Sequence, residues 1–357
     1  MQVVLIGVGQ AGGKITQQLV EFDSRMGFDA VKGALAVNSA QSDLRELELD
    51  TELIGRDRVN GHGVGGDNEL GAEVMQEDAR QIMSSLDGRI TAEAEAIFVV
   101  AGLGGGTGSG GAPVLVHELQ QVYQMPVYAL GVLPGRGEGA MYQANAGRSL
   151  KTVVREADAT LLIDNDAWHS AGESMGEAFD AINEAIARRV GLLLASGEAV
   201  EGVGESVVDS SEVINTLRSG GIATLGYAAA PANGDSAENV NTITSNTRQA
   251  LLSNLSLPNA VEADAALLVV AGNPELISRK GVERARKWVE EQTGSLQVRG
   301  GDFPLESERL ASLILLGGTE RSDRIDEFMQ RAKQASKQEE RANPAEQFHN
   351  EEIDDLF

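Results

Sequence analysis

Residues 101–111 read Ala-Gly-Leu-Gly-Gly-Gly-Thr-Gly-Ser-Gly-Gly. The run follows Ile97-Phe98-Val99-Val100, which has the length and residue types of a buried strand. It precedes Leu115, Leu119 and Val122, which recur at helical spacing. Glycine loses more conformational freedom on ordering than any other residue, so a dense run between two ordered elements implies a site built from backbone. Successive N–H groups there form a nest for anionic oxygens, with the Thr107 and Ser109 hydroxyls beside it. The Gly-Lys-Ser/Thr ending of a P-loop is missing.

Working outward, the same alternation recurs. Val3 to Ile6, Ala34 to Val37, Val127 to Val132 and Leu161 to Ile163 are apolar runs bounded by turns and separated by helical patterns such as Ile15, Leu19 and Phe22. This predicts an α/β, Rossmann-like parallel sheet covered on both faces, with ligands at the carboxyl ends of its strands. Gly7-Val8-Gly9-Gln10-Ala11-Gly12-Gly13-Lys14 matches the dinucleotide fingerprint between the first strand and first helix. The second strand, however, ends in Val37-Asn38-Ser39 rather than the acid that holds an adenosine ribose, which weakens a nicotinamide reading. A further glycine-rich stretch, Gly61 to Glu69, is placed to close the same site.

Residues 171–195 predict a long central helix with Phe179, Ile182, Ile186 and Val190 as its apolar stripe. Beyond it, Ala223 to Ala228, Leu267 to Val270, Leu296 to Arg299 and Leu313 to Leu316 read as strands, with a helix over 281–292. The expected organisation is a nucleotide domain over 1–170, the helix over 171–195, a loop and linker over 196–222, a smaller α+β domain over 223–320, and a helix end with an acidic tail over 321–357. From Gln338 onward seven acids and one Arg predict a segment without order. Its tip, Glu351-Glu352-Ile353-Asp354-Asp355-Leu356-Phe357, reads as a frayed solubilising end or as a motif for a protein partner.

Composition narrows the class. The 357 residues carry 54 Asp and Glu against 29 Lys and Arg, a net charge of −25, with no basic nucleic-acid footprint. No Cys is present, and four scattered His make a zinc site unexpected. No apolar run reaches the roughly 20 residues of a membrane span, and no signal peptide is expected, so the chain reads as cytoplasmic. With 22 Arg to 7 Lys, the acid-rich, Lys-poor balance reads as that of a protein working in high salt or of an ordinary acidic soluble protein, the first being favoured.

Gly104-Gly105-Gly106-Thr107-Gly108-Ser109-Gly110 resembles the signature of the tubulin/FtsZ superfamily, and the resemblance extends from residue 1 to about 320. Gly7 to Lys14, Asn38-Ser39-Ala40, Gly61 to Glu69 and Val208-Asp209-Ser210-Ser211-Glu212 resemble the CetZ group of archaeal tubulin-like proteins, and the composition fits a haloarchaeal member. The resemblance implies a GTPase that binds GTP or GDP with Mg2+ and assembles head-to-tail, with a part in controlling cell shape. Gln10, Ala11, Gly12, Gly13 and Lys14 would line phosphates and ribose, and Gly105, Gly106, Thr107 and Gly108 would cradle the phosphate groups. Glu138 would hold the ribose hydroxyls, Asn165 and Asn183 would read guanine, and Phe179 would stack on it. Mg2+ ligands stay open among Gln10, Asp67 and Glu69.

Asp209 and Glu212 have two readings. Their spacing is that of a capping-box-like helix start. The resemblance makes them the catalytic acids, acting on the nucleotide of the next subunit. Val207 stands where many members carry Asn, which bears on rate. Two other functions remain beside the GTPase: a GTP-binding scaffold with little hydrolysis, and a nicotinamide oxidoreductase.

Overall fold

Val3–Val8 is buried at every position, which is what an interior strand with both faces covered requires. The structure, a computed structural model, describes residues 1–168, 175–197, 208–319 and 322–342. Among these, ten strands form one sheet: β1 (Val3–Val8), β2 (Val31–Asn38), β3 (Thr51–Leu53), β4 (Ala96–Gly102), β5 (Val127–Leu133), β6 (Ala159–Asp164), β7 (Ile222–Pro231), β8 (Ala263–Gly272), β9 (Gln297–Pro304) and β10 (Arg309–Thr319). Their spatial order is β3-β2-β1-β4-β5-β6-β7-β10-β8-β9. From β3 to β7 neighbours are parallel, whereas β10 runs antiparallel to both β7 and β8. The first six strands have the doubly wound order, which reverses between β1 and β4 and opens a crevice at their carboxyl ends.

The helices in chain order are α1 (Gly9–Met26), α2 (Gln41–Leu44), α3 (Arg56–Val59), α4 (Asn68–Glu77), α5 (Ala79–Leu86), α6 (Gly106–Val122), α7 (Ala140–Glu156), α8 (Met175–Ser196), α9 (Ser210–Leu217), α10 (Val240–Leu252), α11 (Arg279–Thr293) and α12 (Asp323–Ala342). One apolar cluster joins the two halves of the chain: Leu5, Phe98 and Leu161 share it with Ile186, Leu193, Leu267, Phe303 and Leu315. A second cluster lies on the other sheet face under α4, α6 and α7, and a third under α10 and α11.

Two expectations are corrected. Ile182, Ile186 and Val190 are buried as the stripe predicts, but Phe179 is 36% exposed and is not a core residue. The segment after Gln338 does not lose order at once, because α12 continues to Ala342. That helix is held by burial of Phe328, Ala332 and Ala335, with Ala332 seated on Gly147 of α7. Residues 343–357, to which the rest of the tail reading applies, lie outside the described residues, as do Val207 and most of the expected loop before it.

The junction between β6 and β7 is short. They pair only at Thr160 with Ile222 and Leu161 with Ala223, then separate. Buried Ser256 fills the gap. Its carbonyl accepts from Asp164 N at 2.8 Å, its N–H donates to Leu225 O at 2.8 Å, and its hydroxyl donates to Leu162 O at 2.8 Å while accepting from Leu225 N at 3.0 Å. Ser256→Ala leaves a buried N–H and a buried carbonyl without that hydroxyl. The expected loss is about 1–3 kcal/mol, read from the denaturant midpoint at fixed salt.

Candidate functional site

Three helices start at the carboxyl edge of the sheet with donors free of side-chain caps. The residues before α1, α6 and α7 are Val8, Gly105 and Gly139; none supplies a capping side chain, and no acid occupies the first turn of any of the three. The first N–H groups of a helix have no intrahelical acceptor, and the helix dipole adds positive potential there. An anion in the crevice would therefore meet donors from several directions. By contrast, α4 and α9 are capped by their own Asp67 and Asp209.

The glycines divide by task. A side chain on Gly12 would run into the Val100 carbonyl, and one on Gly108 would come within 2.7 Å of the Gly102 carbonyl, so both allow close approach of backbones. Gly9 has φ 75° and faces Gly108 N, which joins the two glycine loops. Gly110 and Gly71 are packing positions where α6 and α4 touch, against Asn68 O and Gly106 O respectively. Gly105 faces open space. Among the glycines of the 104–110 run it alone has no atom within 4 Å of where a side chain would begin.

Side chains lock these loops. Ser39 Oγ and Thr107 Oγ1 share a buried hydrogen bond of 2.7 Å, tying the end of β2 to the start of α6. Asn38 Oδ1 accepts from Ser39 N at 2.8 Å, which fixes that turn. Asn145 of α7 donates through Nδ2 to Gly66 O at 2.7 Å and Gly104 O at 3.1 Å, so the 61–69 stretch does close on the 104–110 run. Gln10 and Ala11 are exposed at the mouth, Gly12 and Gly13 are buried, and Lys14 turns to Glu46 at 3.6 Å.

Glu138 and Asn165 come together. Glu138 Oε1 accepts from Gly135 N at 2.7 Å and from Asn165 Nδ2 at 3.3 Å, which leaves its other oxygen for a ligand. Behind them stands a charged network that sequence reasoning did not find. Arg324 of α12 donates to buried Asp164 through Nε at 2.5 Å and Nη2 at 2.9 Å. Asp166 accepts from Arg136 N at 2.8 Å, and Arg136 donates to Glu327 of α12 through Nε at 3.3 Å and Nη2 at 2.9 Å. The 134–139 loop is thus anchored to α12. The available signal was weak: Asp164 and Asp166 flank Asn165, but nothing in the spacing points to Arg324, 160 residues away. Phe179 and half-buried Asn183 share one face of the first turns of α8, and the exposure of Phe179 suits a stacking surface better than a core role.

Asp209 and Glu212 lie elsewhere. Asp209 Oδ1 accepts from Glu212 N at 3.2 Å, so the capping reading is realised. The next residue, Ser210, donates to Glu95 Oε1 at 2.6 Å, and Glu95 Oε2 accepts from Gln2 N at 2.8 Å. Gln2 and Glu95 directly precede β1 and β4. The acids therefore sit at the amino-terminal end of the strands whose carboxyl ends form the crevice, roughly 20 Å away at the rise of a six-residue strand. Burial, then the nearby Asp209 charge, pushes the Glu212 carboxyl above its ordinary range, while Arg299 opposes the shift.

Residues 2–173 match the family described as Tubulin/FtsZ family, GTPase domain, and residues 172–334 match Tubulin-like CetZ, C-terminal domain. The chain is 67% identical to the tubulin-like protein CetZ2 of Haloferax volcanii over 100% of both chains. It is 48% identical to CetZ1 of that organism over 94% of this chain and 92% of the other. A solved GTPγS-bound protofilament of CetZ2 from Haloferax volcanii covers 95% of this chain and 100% of that chain with a TM-score of 0.92. A GDP-bound monomer of CetZ1 covers 94% and 100% with a TM-score of 0.87. Fold, crevice and match together define a GTPase domain of the tubulin/FtsZ type, which sets the nicotinamide reading aside. The chain belongs to the CetZ family of tubulin-like proteins.

Proposed function

We propose that this chain is a cytoplasmic GTPase that polymerises head-to-tail and hydrolyses GTP where two subunits meet, in a cytoskeletal role that controls cell shape. The placement of Asp209 and Glu212 at the opposite end of the sheet from the crevice carries the reading. Neither acid reaches the nucleotide of its own subunit, whereas stacking end on end brings them to the neighbour's. Such a contact is heterologous and propagates when it does not close. The CetZ2 relative solved as a GTPγS-bound protofilament supports the same arrangement.

In this mechanism Gln10 to Lys14 and Gly105 to Gly108 hold the phosphates, through the uncapped starts of α1 and α6. Glu138 accepts from the ribose hydroxyls, Asn165 and Asn183 meet the guanine edge, and Phe179 lies against its face. Glu212 and Asp209 orient the attacking water and draw its proton. Among the described residues no group of three His, Cys, Asp or Glu could hold a metal. Mg2+ would be carried mainly by phosphate and water, within reach of Gln10, Glu69 or Asp67, whose Oδ1 accepts from Glu69 N and Leu70 N and whose Oδ2 is left for a cation or its water. Bound Mg2+ would neutralise charge on the γ-phosphate.

The test is light scattering with parallel phosphate release in multimolar KCl, adding GTP, ATP or NAD. Scattering that rises only with GTP above a threshold protein concentration, followed by phosphate, is the expected outcome. Scattering without phosphate would identify the scaffold instead, for which Val207 is the motive.

The proposal also fixes a pH dependence. Glu212 accepts a proton only when ionised, and its pKa is raised by burial first and by Asp209 second. The acid limb of turnover should lie above the ordinary carboxylate range. Asp209→Asn should move that limb to lower pH, whatever it does to the plateau.

A further inference from the structure

The chain carries 54 acids against 29 bases, yet α10 and α11 together hold six basic residues and three acidic ones. Arg248, Arg284 and Lys287 line one cleft of about 260 Å3 between these helices, with Thr244, Trp288 and Glu291 in its wall. The Arg248 guanidinium lies 5.5 Å from the Trp288 ring centroid, a cation–π contact. Among the described residues, none of the three cations has a carboxylate within 4.0 Å, although Glu291 lies on the same wall. Three cations facing one cleft repel one another, and in a molecule of charge −25 they mark a place for an anion supplied from outside the two helices. The cleft lies between the middle of α10 and the second half of α11, two helices that cover one face of β7, β8 and β10.

We propose that this cleft docks the C-terminal stretch of the chain, residues 343–357, from the same or a neighbouring subunit. That stretch has five carboxylates and no Lys or Arg. Glu351, Glu352, Asp354 and Asp355 surround Ile353, and Leu356-Phe357 follow. The carboxylates match the three cations, and the apolar side chains match the Trp288 ring between them. A bare anion would satisfy only the first requirement. The cleft has room for a few side chains and not for a folded partner. Concentrated salt screens charges at a distance of a few ångströms, so the combination of contact ion pairs with apolar burial is what lets the docking persist there.

Carbodiimide coupling of the full chain, mapped by mass spectrometry, tests this. The sequence has seven Lys, of which Lys287 is in the cleft, so the amides formed are few and assignable. Amides from Lys287 to carboxylates among residues 351–355 are expected. Arg248→Gln/Arg284→Gln keeps the reporter lysine and should lower their yield at least fivefold, whereas Arg248→Lys/Arg284→Lys should retain the summed yield of amides to residues 248, 284 and 287. An excess of the peptide of residues 343–357 should also suppress the yield. Mixing 15N-labelled with unlabelled chains separates docking within a subunit from docking between subunits, and either supports the proposal. Coupling of these carboxylates only to lysines outside the cleft, such as Lys333 of α12, would overturn it. So would a Lys287 yield untouched by both the Gln variant and the peptide.

Discussion

Glu212→Ala is expected to lower GTP turnover by about a hundredfold or more, the scale lost with a group that positions or deprotonates water. Nucleotide affinity and GTP-dependent scattering should stay near wild type, because Glu212 lies at the end of the sheet away from the crevice. The variant's polymers should outlast those of the wild type once free GTP is exhausted. Asp209 also caps α9, so its substitution mixes a lost cap of about 1 kcal/mol with any loss of chemistry. Among the described residues the Glu212 side-chain oxygens accept no hydrogen bond, so it is the cleaner probe. Phosphate release and filter-bound GTP, measured across protein concentration, decide the matter. Wild-type turnover that is undiminished below the assembly threshold would defeat the idea of a shared site, as would full activity in the variant.

The second large effect concerns stability. Arg324 and Asp164 are 4% and 1% exposed, and their fork-like pairing closes the carboxyl end of β6 against α12. Arg324→Met leaves the Asp164 charge buried, with Asp166 N at 3.2 Å as a remaining donor. Removing one partner of a buried pair costs about 3–5 kcal/mol. In thermal melts at constant KCl this should lower Tm by on the order of 10 °C. The double variant Arg324→Met, Asp164→Leu removes both charges and should regain most of the loss. A single variant within about 1 kcal/mol of wild type would mean that water reaches this pair. Because Asp166 and Asn165 follow Asp164 directly, the single variant should also raise KM for GTP more than it lowers kcat.

The crevice at the carboxyl ends of the strands was legible because its message is backbone chemistry written in glycine. A side chain on Gly12 or Gly108 collides with backbone, so the residue type itself reports the close approach. The buried strands were legible because six or seven consecutive apolar residues leave little alternative. The helices α7 and α10 were not anticipated. The buried side of α7 is Gln143, Ala144, Asn145, Gly147 and Ser149 before any large apolar residue, and that of α10 includes Asn246 and Thr247. Small and polar residues facing inward give no apolar period to detect. Phe179 misled for the opposite reason: an aromatic in register with Ile182 and Ile186 reads as core until its exposure is known. Asn145 and Arg324 act through contacts far along the chain, 79 and 160 residues away, and no local pattern encodes them.

The seam at Ser256 has a mechanical consequence. Hydrogen bonds are directional, and few of them link the two halves: two paired positions and one bridging serine between β6 and β7, with Ser210 to Glu95 and Arg324 to Asp164 beside them. The apolar cluster around α8 that spans both halves has no directional preference. Separating the halves would expose that cluster to water, whereas a small twist about the seam strains a few bonds and exposes almost nothing. Stiffness against splitting and compliance in torsion thus come from different interactions. A strand of such subunits can absorb curvature at each seam without any subunit coming apart.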